Sequence, residues 1–393
     1  MASEETATPG ADAPLDGADL EVVRDATETR DPLPGTGGFA GEIDGNLVRD
    51  VLGRRPLFVD ADDASAWAFD PRELPAPVSV PAGTAVPVGE RPDPGASDRR
   101  WTLPDPEPTA DDDAALAAVR DAVLARTRAL GGDDSTGDVA VAFSGGVDSG
   151  VVATGVPDAP CYVAGFEGCH DVAAARAAAA EMDRDLRVVE LTHDDIREAV
   201  PELVDVLGRT NPMDLSIALP LFLVAERAAA DGFARLALGQ GADELFGGYA
   251  KVEKAPEDPR VAADTVRGAR HELLGTLPDQ AERDVLAVRA AGIDPVAPLL
   301  HDDVVAAALD LPGHLLVDGD RRKVALREVA RGVVPDSVRT ADKKAVQYGT
   351  YVSRELDRLA RRAGYKRRMD DHVERYVRAL VSDGPVTPPE ADS

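Results

Sequence analysis

The sequence has few cysteines and no long apolar run, and these absences argue against several classes of protein. It has two cysteines among 393 residues, Cys161 and Cys169, and no Cys-x-x-Cys or Cys/His cluster, which argues against a structural zinc or an iron–sulfur centre. No apolar run approaches the roughly 20 residues that a membrane-spanning helix needs, and no signal peptide is recognisable. We therefore expect a reduced, cytoplasmic protein that does not enter a membrane.

Positive charge is also scarce, and lysine is the scarcest cation. The chain has 43 Lys plus Arg against 72 Asp plus Glu, which gives a net charge of −29, and only six of the cations are lysine. Such a surface repels nucleic-acid phosphate and anionic lipid. A GC-rich genome explains arginine over lysine but not the excess of Asp (49) over Glu (23). The composition predicts a halophilic protein, because molar salt screens this self-repulsion.

Composition divides the chain into five segments. Residues 1–36 are acidic and rich in Pro, Gly and Thr, so we expect disorder there. Residues 37–92 contain short β-type runs that predict a small β-rich domain, and 93–112 resemble a linker. In residues 113–355, strand-like and helix-like patterns alternate, which predicts an α/β fold with a doubly wound parallel sheet and a helical C-terminal part. Residues 356–393 predict a helix and a frayed tail.

The first candidate site follows the apolar run Val139–Phe143. The next six residues are SGGVDS, Ser144–Ser149. Paired glycines and serine hydroxyls between a strand and a helix are typical of a loop that binds phosphate through backbone N–H groups. Asp148 stands where a P-loop would carry no carboxylate, which favours Mg²⁺ bound to a polyphosphate. The alternative is an ordinary glycine-rich turn.

The second candidate site is GQGADELFGGY, Gly239–Tyr249, which follows a strand predicted at residues 234–238. Both loops would lie at the carboxyl edge of a parallel sheet, where ligands bind. We therefore expect Asp148 and Asp243 to converge on one metal-bound polyphosphate. The alternative is that Asp243 and Glu244 only provide an acidic helix N-terminus.

The two loops together resemble the synthetase domain of asparagine synthetases and their relatives, including β-lactam synthetases, from about Asp111 to Val352. This resemblance implies an ATP pyrophosphatase fold of the adenine nucleotide alpha hydrolase-like type. It implies a ligase that uses ATP and Mg²⁺ to adenylate a carboxylate, with aspartate as the first candidate. Pyrophosphate leaves, and ammonia or an amine then displaces AMP.

The resemblance also implies roles for individual residues. Asp243 would join Asp148 as a metal or pyrophosphate ligand, and Lys343, or its neighbour Lys344, would stabilise charge on the phosphate. The scarcity of lysine favours this role, although both could be solvated loop residues. The residues implied for pyrophosphate are Ser144, Gly145, Gly146, Val147, Asp148 and Ser149, and those for the adenosine pocket are Ala142, Ala164 and Gly239, which could also simply pack.

Two departures leave the acceptor carboxylate open. The family usually reads Gly-Glu-Gly where this chain has Gln240 between glycines; the amide can orient a substrate but cannot act as a general base. Ser216-Ile217-Ala218 stands where true asparagine synthetases carry Arg-Ala-Ser. A cationic partner for aspartate is therefore missing at that position.

The stretch Arg49–Phe58 resembles the RDPLG-x-RPL motif of the family's glutaminase domain. That domain uses a cysteine exposed by removal of the initiator Met, and this chain has Ala2 instead. Residues 37–92 are therefore interpreted as a truncated, inactive glutaminase. Ammonia would come from solution or from a separate subunit, or another amine would replace it.

Two other functions and a homodimer stay open. An ATP pyrophosphatase could act on another metabolite or on a tRNA nucleotide, or the chain could be a nucleotide-binding scaffold without turnover. A basic cluster around Tyr365 could contact RNA, although such a cluster can also pair with acidic neighbours. Its members are Arg361, Arg362, Lys366, Arg367 and Arg368.

Overall fold

The computed structural model describes residues 15–92, 99–131, 139–249, 252, 265–341 and 346–383. These residues belong to two compact units. The first comprises the described residues of Met1–Pro104 together with Leu277–Glu282, and the second comprises those of Asp105–Thr276 and Arg283–Ser393. Within the described ranges, no helix is both long and apolar enough to cross a membrane.

The first unit is built from two small antiparallel sheets. One has the strand order β1-β2-β3-β7 and the other β5-β4-β6. Both faces of the first sheet are buried, since the adjacent β3 residues Leu47 and Val48 point to opposite faces and belong to different apolar clusters. The strands are β1 Leu15–Asp16, β2 Ala40–Ile43, β3 Asn46–Arg49, β4 Phe58–Asp60, β5 Trp67–Ala68, β6 Pro77–Ser79 and β7 Thr84–Pro87.

Two segments that the sequence predicts to be unstructured contribute to this core. Helix α1, Leu20–Thr29, lies in the segment expected to be disordered, and it buries Val23 and Ala26. Trp101, in the expected linker, stacks edge-on against Phe39 at 5.5 Å and donates its indole N–H to the Ala26 carbonyl at 3.2 Å. A few apolar side chains therefore pack into one cluster, and this packing orders segments whose average composition is polar.

The second unit contains a five-stranded parallel sheet in the order β10-β9-β8-β11-β12. In register, Val141 lies between Cys161 of β9 and Ala237 of β11. The chain passes from β8 to β9 on one side and later returns to place β11 on the other. This sheet confirms the predicted α/β class. Its strands are β8 Val139–Ala142, β9 Cys161–Gly165, β10 Leu186–Glu190, β11 Arg235–Ala237 and β12 Asp294–Val296.

Helices make up most of the rest of this unit, including its C-terminal part. Residues 277–282 of α9 belong to the first unit. The helices are α2 Asp112–Ala129, α3 Val147–Gly155, α4 His170–Glu181, α5 His193–Leu207, α6 Pro212–Ala230, α7 Ala242–Phe246, α8 Val266–Leu274, α9 Leu277–Ala290, α10 Asp302–Leu309, α11 Gly313–Leu316, α12 Val324–Val329, α13 Asp336–Arg339, α14 Val346–Gly349, α15 Val352–Arg362 and α16 His372–Asp383. A short hairpin, β13 Val317–Asp318 and β14 Arg321–Arg322, precedes α12.

Two members of the basic cluster near the C terminus pair with one acidic side chain. Arg361 and Arg367 both donate to the carboxylate of Asp357, each with a contact at 3.0 Å, and His372 lies 2.9 Å from the same group. These hydrogen bonds, led by that from Arg367, hold the pKa of Asp357 below its ordinary value. Arg361 and Arg367 therefore fit the acidic-neighbour alternative.

Candidate functional site

The loop after β8 has the backbone shape that its glycines predict. Gly145 has φ +75°, and a Cβ added there would lie 2.7 Å from the carbonyl of Ala174. Only glycine fits both the left-handed backbone and this close approach. Ser149, on the first turn of α3, brings its Oγ within 3.2 Å of the Ser144 N–H and of the Ser144 hydroxyl. The serines thus hold the loop folded at the N-terminus of α3.

The loop after β11 packs directly on the first loop. A Cβ on Gly239 would lie 3.1 Å from both the Asp148 Cβ and the Ser149 backbone nitrogen. Gly241 and Gly247, with φ +90° and +74°, bound the short helix α7. Because β8 and β11 are neighbours and the chain leaves β8 in the opposite direction to reach β9, both loops lie at the topological switch point, where α/β sheets bind ligands.

A lysine joins the two predicted acidic residues. The Nζ atom of Lys323 lies 2.7 Å from Asp148 Oδ2 and 2.7 Å from Asp243 Oδ1. Gly248 leaves room for this arrangement, since a Cβ there would lie 1.8 Å from the Asp243 carboxylate. We name this cluster the Asp–Lys–Asp bridge. It connects the two loops through one cation.

Lys323 occupies this position although burial of its charge and its backbone conformation are both unfavourable. The residue is only 8% exposed, and its backbone, at φ +56°, is in the left-handed region that lysine rarely adopts. Burial lowers the pKa of its ammonium, but the attraction of Asp148 and Asp243 outweighs burial, so the net pKa lies above the ordinary lysine value. The side chain therefore carries a full positive charge at neutral pH.

The carboxylates also suit a hard divalent cation. Asp148 Oδ1 is buried and makes no hydrogen bond with any residue in the described part of the chain. Mg²⁺ takes oxygen ligands and is commonly bound by one or two carboxylates together with substrate phosphates. No group of three potential metal ligands occurs among the described residues. Asp148 and Asp243 therefore fit a Mg²⁺ brought in with a polyphosphate better than a metal held by protein ligands alone.

The positions of the other predicted site residues do not test their proposed roles. Ala142 and Ala164 lie on the adjacent parallel strands β8 and β9, and Ala164 is buried at the carboxyl end of its strand. Their assignment to an adenosine pocket stays a prediction. Lys343 and Lys344 lie outside the described residues.

Gln240 belongs to a second polar cluster that the sequence did not reveal. Its Nε2 donates to Asp284 Oδ2 at 2.7 Å, and Arg283 Nε donates to Asp284 Oδ1 at 2.8 Å. Arg283 also reaches Asp214 Oδ1 at 3.3 Å. Burial raises the pKa of the Asp284 carboxyl, Arg283 opposes that shift and Asp214 adds to it, with a net rise. We name Gln240, Asp284, Arg283 and Asp214 the Gln–Asp cluster.

The two acidic residues of the short helix α7 do more than interact with the helix dipole. Glu244 is buried and accepts a hydrogen bond from the Tyr249 hydroxyl at 2.5 Å. Burial raises the pKa of the Glu244 carboxyl, despite the Tyr249 hydrogen bond and the nearby Lys323. Asp243 pairs with Lys323, so both acids make specific contacts, unlike in the simple helix-terminus alternative.

Much of the chain is similar in sequence to known proteins. A family model described as asparagine synthase matches residues 116–289 and 262–382. The chain is 27% identical over 303 residues to a putative asparagine synthetase (glutamine-hydrolyzing) 1 of Methanocaldococcus jannaschii, a match that covers 68% of this chain and 54% of that protein. It is 26% identical over 198 residues to asparagine synthetase B (glutamine-hydrolyzing) of Escherichia coli, covering 49% and 34%. The chain thus spans between about a third and a little over half of the length of these relatives.

Proposed function

The chain belongs to the asparagine synthase family, and from this premise we propose that its second unit is an ATP-dependent ligase that adenylates a substrate carboxylate. The observation that carries the proposal is the Asp–Lys–Asp bridge between two glycine-rich loops at the switch point of the sheet. Backbone N–H groups, serine hydroxyls and a buried ammonium converge there. Together they suit the polyphosphate of ATP.

In the proposed reaction, a carboxylate oxygen of the substrate attacks the α-phosphorus of ATP, and the bond to pyrophosphate breaks. Ser144 and Ser149 keep the loop N–H groups turned toward the phosphates, and Lys323 balances charge that develops on the departing pyrophosphate. Mg²⁺ held by Asp148 and Asp243 would neutralise further phosphate charge. Ammonia or an amine then attacks the acyl carbon, the carbon–oxygen bond to AMP breaks, and the amide is formed.

We further propose that the first unit hydrolyses no glutamine. Both cysteines of the chain lie in the second unit, are buried, and have thiol pKa values that burial raises, so neither is a ready nucleophile. Arg49, in the glutaminase-like motif, is only 2% exposed and is occupied by hydrogen bonds within the first unit to Ser79, the Val80 carbonyl and Glu282. Such contacts suit an anchor of the fold.

A product assay tests the ligase proposal. Protein purified in molar KCl is incubated with Mg·ATP, ammonium and each member of a carboxylate panel headed by aspartate, and AMP, ADP and pyrophosphate are quantified. We expect equal amounts of AMP and pyrophosphate, dependent on a carboxylate, and their loss in Asp148→Asn. Formation of ADP and phosphate, or no stimulation by any carboxylate, would contradict the proposal.

The nitrogen source is tested in the same assay. With the stimulating carboxylate present, ammonium should support amide formation and glutamine should not. Glutamine-dependent amide formation by the purified chain, with release of glutamate, would show that the first unit or another group hydrolyses glutamine.

A further inference from the structure

The Gln–Asp cluster lies beside the phosphate loop and has no part in the adenylation step described above. Gln240 directly follows Gly239, the residue that packs on Asp148 and Ser149. Its partner Asp284 comes from helix α9, and the Asp284 side chain retains 12% exposure. A carboxylate and an amide therefore lie together next to the site proposed to hold the acyl-adenylate.

The chemistry of this pair fixes which end of the amide is used. An ionised carboxylate only accepts hydrogen bonds, so Gln240 must turn its NH₂ group toward Asp284, as the 2.7 Å contact shows. The opposite end is the carbonyl oxygen Oε1, and no residue in the described ranges donates a hydrogen bond to it. Gln240 therefore presents an acceptor, which suits a ligand that carries N–H groups.

The Asp284 carboxylate can accept more hydrogen bonds than Gln240 and Arg283 donate to it. A carboxylate has about four lone-pair sites, and Gln240 and Arg283 use one on each oxygen. The charged groups that act on Asp284 are Arg283 and Asp214. Beyond them, Arg209 lies 3.8 Å from Asp214, and Tyr249 interacts with Arg283 and Glu244. Burial raises the pKa of this carboxyl and Asp214 adds to the rise, while Arg283 opposes it.

We propose that Gln240 and Asp284 receive the nitrogen nucleophile, with Gln240 Oε1 binding an N–H and Asp284 accepting the proton that the nitrogen loses. This inference rests on the proposed ligase function and names its second half-reaction. Neutral ammonia donates its electron pair to the acyl carbon, the bond from that carbon to the AMP oxygen breaks, and AMP leaves with the electron pair. One N–H proton passes to Asp284 and then to solvent.

Separate readouts of the two half-reactions test this role. Aspartate-dependent ATP–pyrophosphate exchange reports adenylation without nitrogen, and ammonium-dependent AMP formation reports the second step. In Asp284→Asn we expect exchange within about threefold of the unaltered protein and kcat/KM for ammonium about 100-fold lower, in the usual range for losing a general base. Hydroxylamine, a nucleophile that is largely unprotonated at neutral pH, should still give hydroxamate within about tenfold.

Two further variants separate chemistry from structure. Asp284→Glu, which keeps a carboxylate, should regain part of the ammonium activity, and Gln240→Ala should raise KM for ammonium about tenfold. Asp294→Asn is the matched control, since Asp294 also pairs with an arginine, Arg289, at 3.1 Å, but lies on β12 and is 42% exposed. We expect that control to leave both half-reactions unchanged.

The outcomes distinguish the inference from the function on which it rests. Equal losses of exchange, ammonium activity and hydroxamate formation in Asp284→Asn would assign a structural role and overturn the inference, as would unchanged ammonium activity. Absence of exchange in the unaltered protein with aspartate and with the rest of the carboxylate panel would overturn the proposed function, and the inference with it.

Discussion

Replacing Lys323 by Met is the sharpest perturbation of the candidate site. Methionine keeps an unbranched side chain of similar length in the buried space but removes the charge between Asp148 and Asp243. Two carboxylate oxygens that each contact Nζ at 2.7 Å then face each other within about 5.4 Å without a cation. The variant should therefore lose both stability and phosphate chemistry.

The magnitude follows from the geometry. Two unit charges 5.4 Å apart repel by about 3 kcal/mol at an effective dielectric constant of 20. The Asp243 side chain is 45% exposed, so solvent relieves part of this repulsion. We expect the free energy of unfolding to fall by about 2 kcal/mol, and pyrophosphate exchange to fall by about 10² to 10³, the usual effect of losing one electrostatic contact to a reacting group.

Urea unfolding and pyrophosphate exchange, both in molar KCl, measure these effects. Adding Asp243→Asn to the Lys323→Met variant removes one repelling charge and should restore part of the stability but none of the exchange. Lys366→Met changes an exposed lysine and serves as the control, with an expected effect within about 0.5 kcal/mol. Exchange within threefold of the unaltered protein in Lys323→Met would refute the role given to this ammonium.

Three other predictions concern the loop, the acid response and the salt response. Gly145→Ala should unfold with about 2 kcal/mol less free energy and lose exchange, because its Cβ meets the Ala174 carbonyl; Gly168→Ala, with φ +70° but open space, should cost less, and equal costs would argue against the close approach. The folded-state pKa of Asp357 is depressed, so its contribution to stability is present above about pH 4 and is lost as pH falls through the folded value. Asp357→Asn should therefore flatten the acid side of a stability–pH curve, and an unchanged curve would contradict this. Finally, with a net charge of −29 the free energy of unfolding should rise from about 0.1 M to 3 M KCl, whereas a flat or falling dependence would count against the halophilic interpretation.

The sheet was predictable where its strands are buried and continuous. β8 and β9 are uninterrupted apolar runs that end at glycine-rich or turn residues, as strands covered on both faces must be. β12 has no such signal in the sequence, since it has three residues with Pro295 in the middle and lies at the sheet edge. Helices α5 and α6 each contain an internal proline, Pro201 and Pro220, which normally ends a helix, so local signals do not predict their full lengths.

The site was predictable to the extent that its residues follow strands. Asp148 and Asp243 could be paired because parallel strands bring their carboxyl ends to one edge. Lys323 lies 175 residues from Asp148 and follows a two-stranded hairpin, so no local pattern points to its partner. The signal available was the scarcity of lysine, which equally favoured Lys343 and Lys344. Asp284 carried no signal, because an acidic residue on a helix of such an acidic chain is unremarkable until its burial is known.

In the proposed reaction, this chain activates a carboxylate by transferring AMP to it. The most direct measurement uses aspartate labelled with ¹⁸O in its carboxylates, incubated with Mg·ATP and ammonium, followed by mass spectrometry of the nucleotide product. We expect AMP that carries one ¹⁸O atom taken from the substrate, in amounts equal to the amide formed. Unlabelled AMP, or label appearing in inorganic phosphate beside ADP, would contradict it.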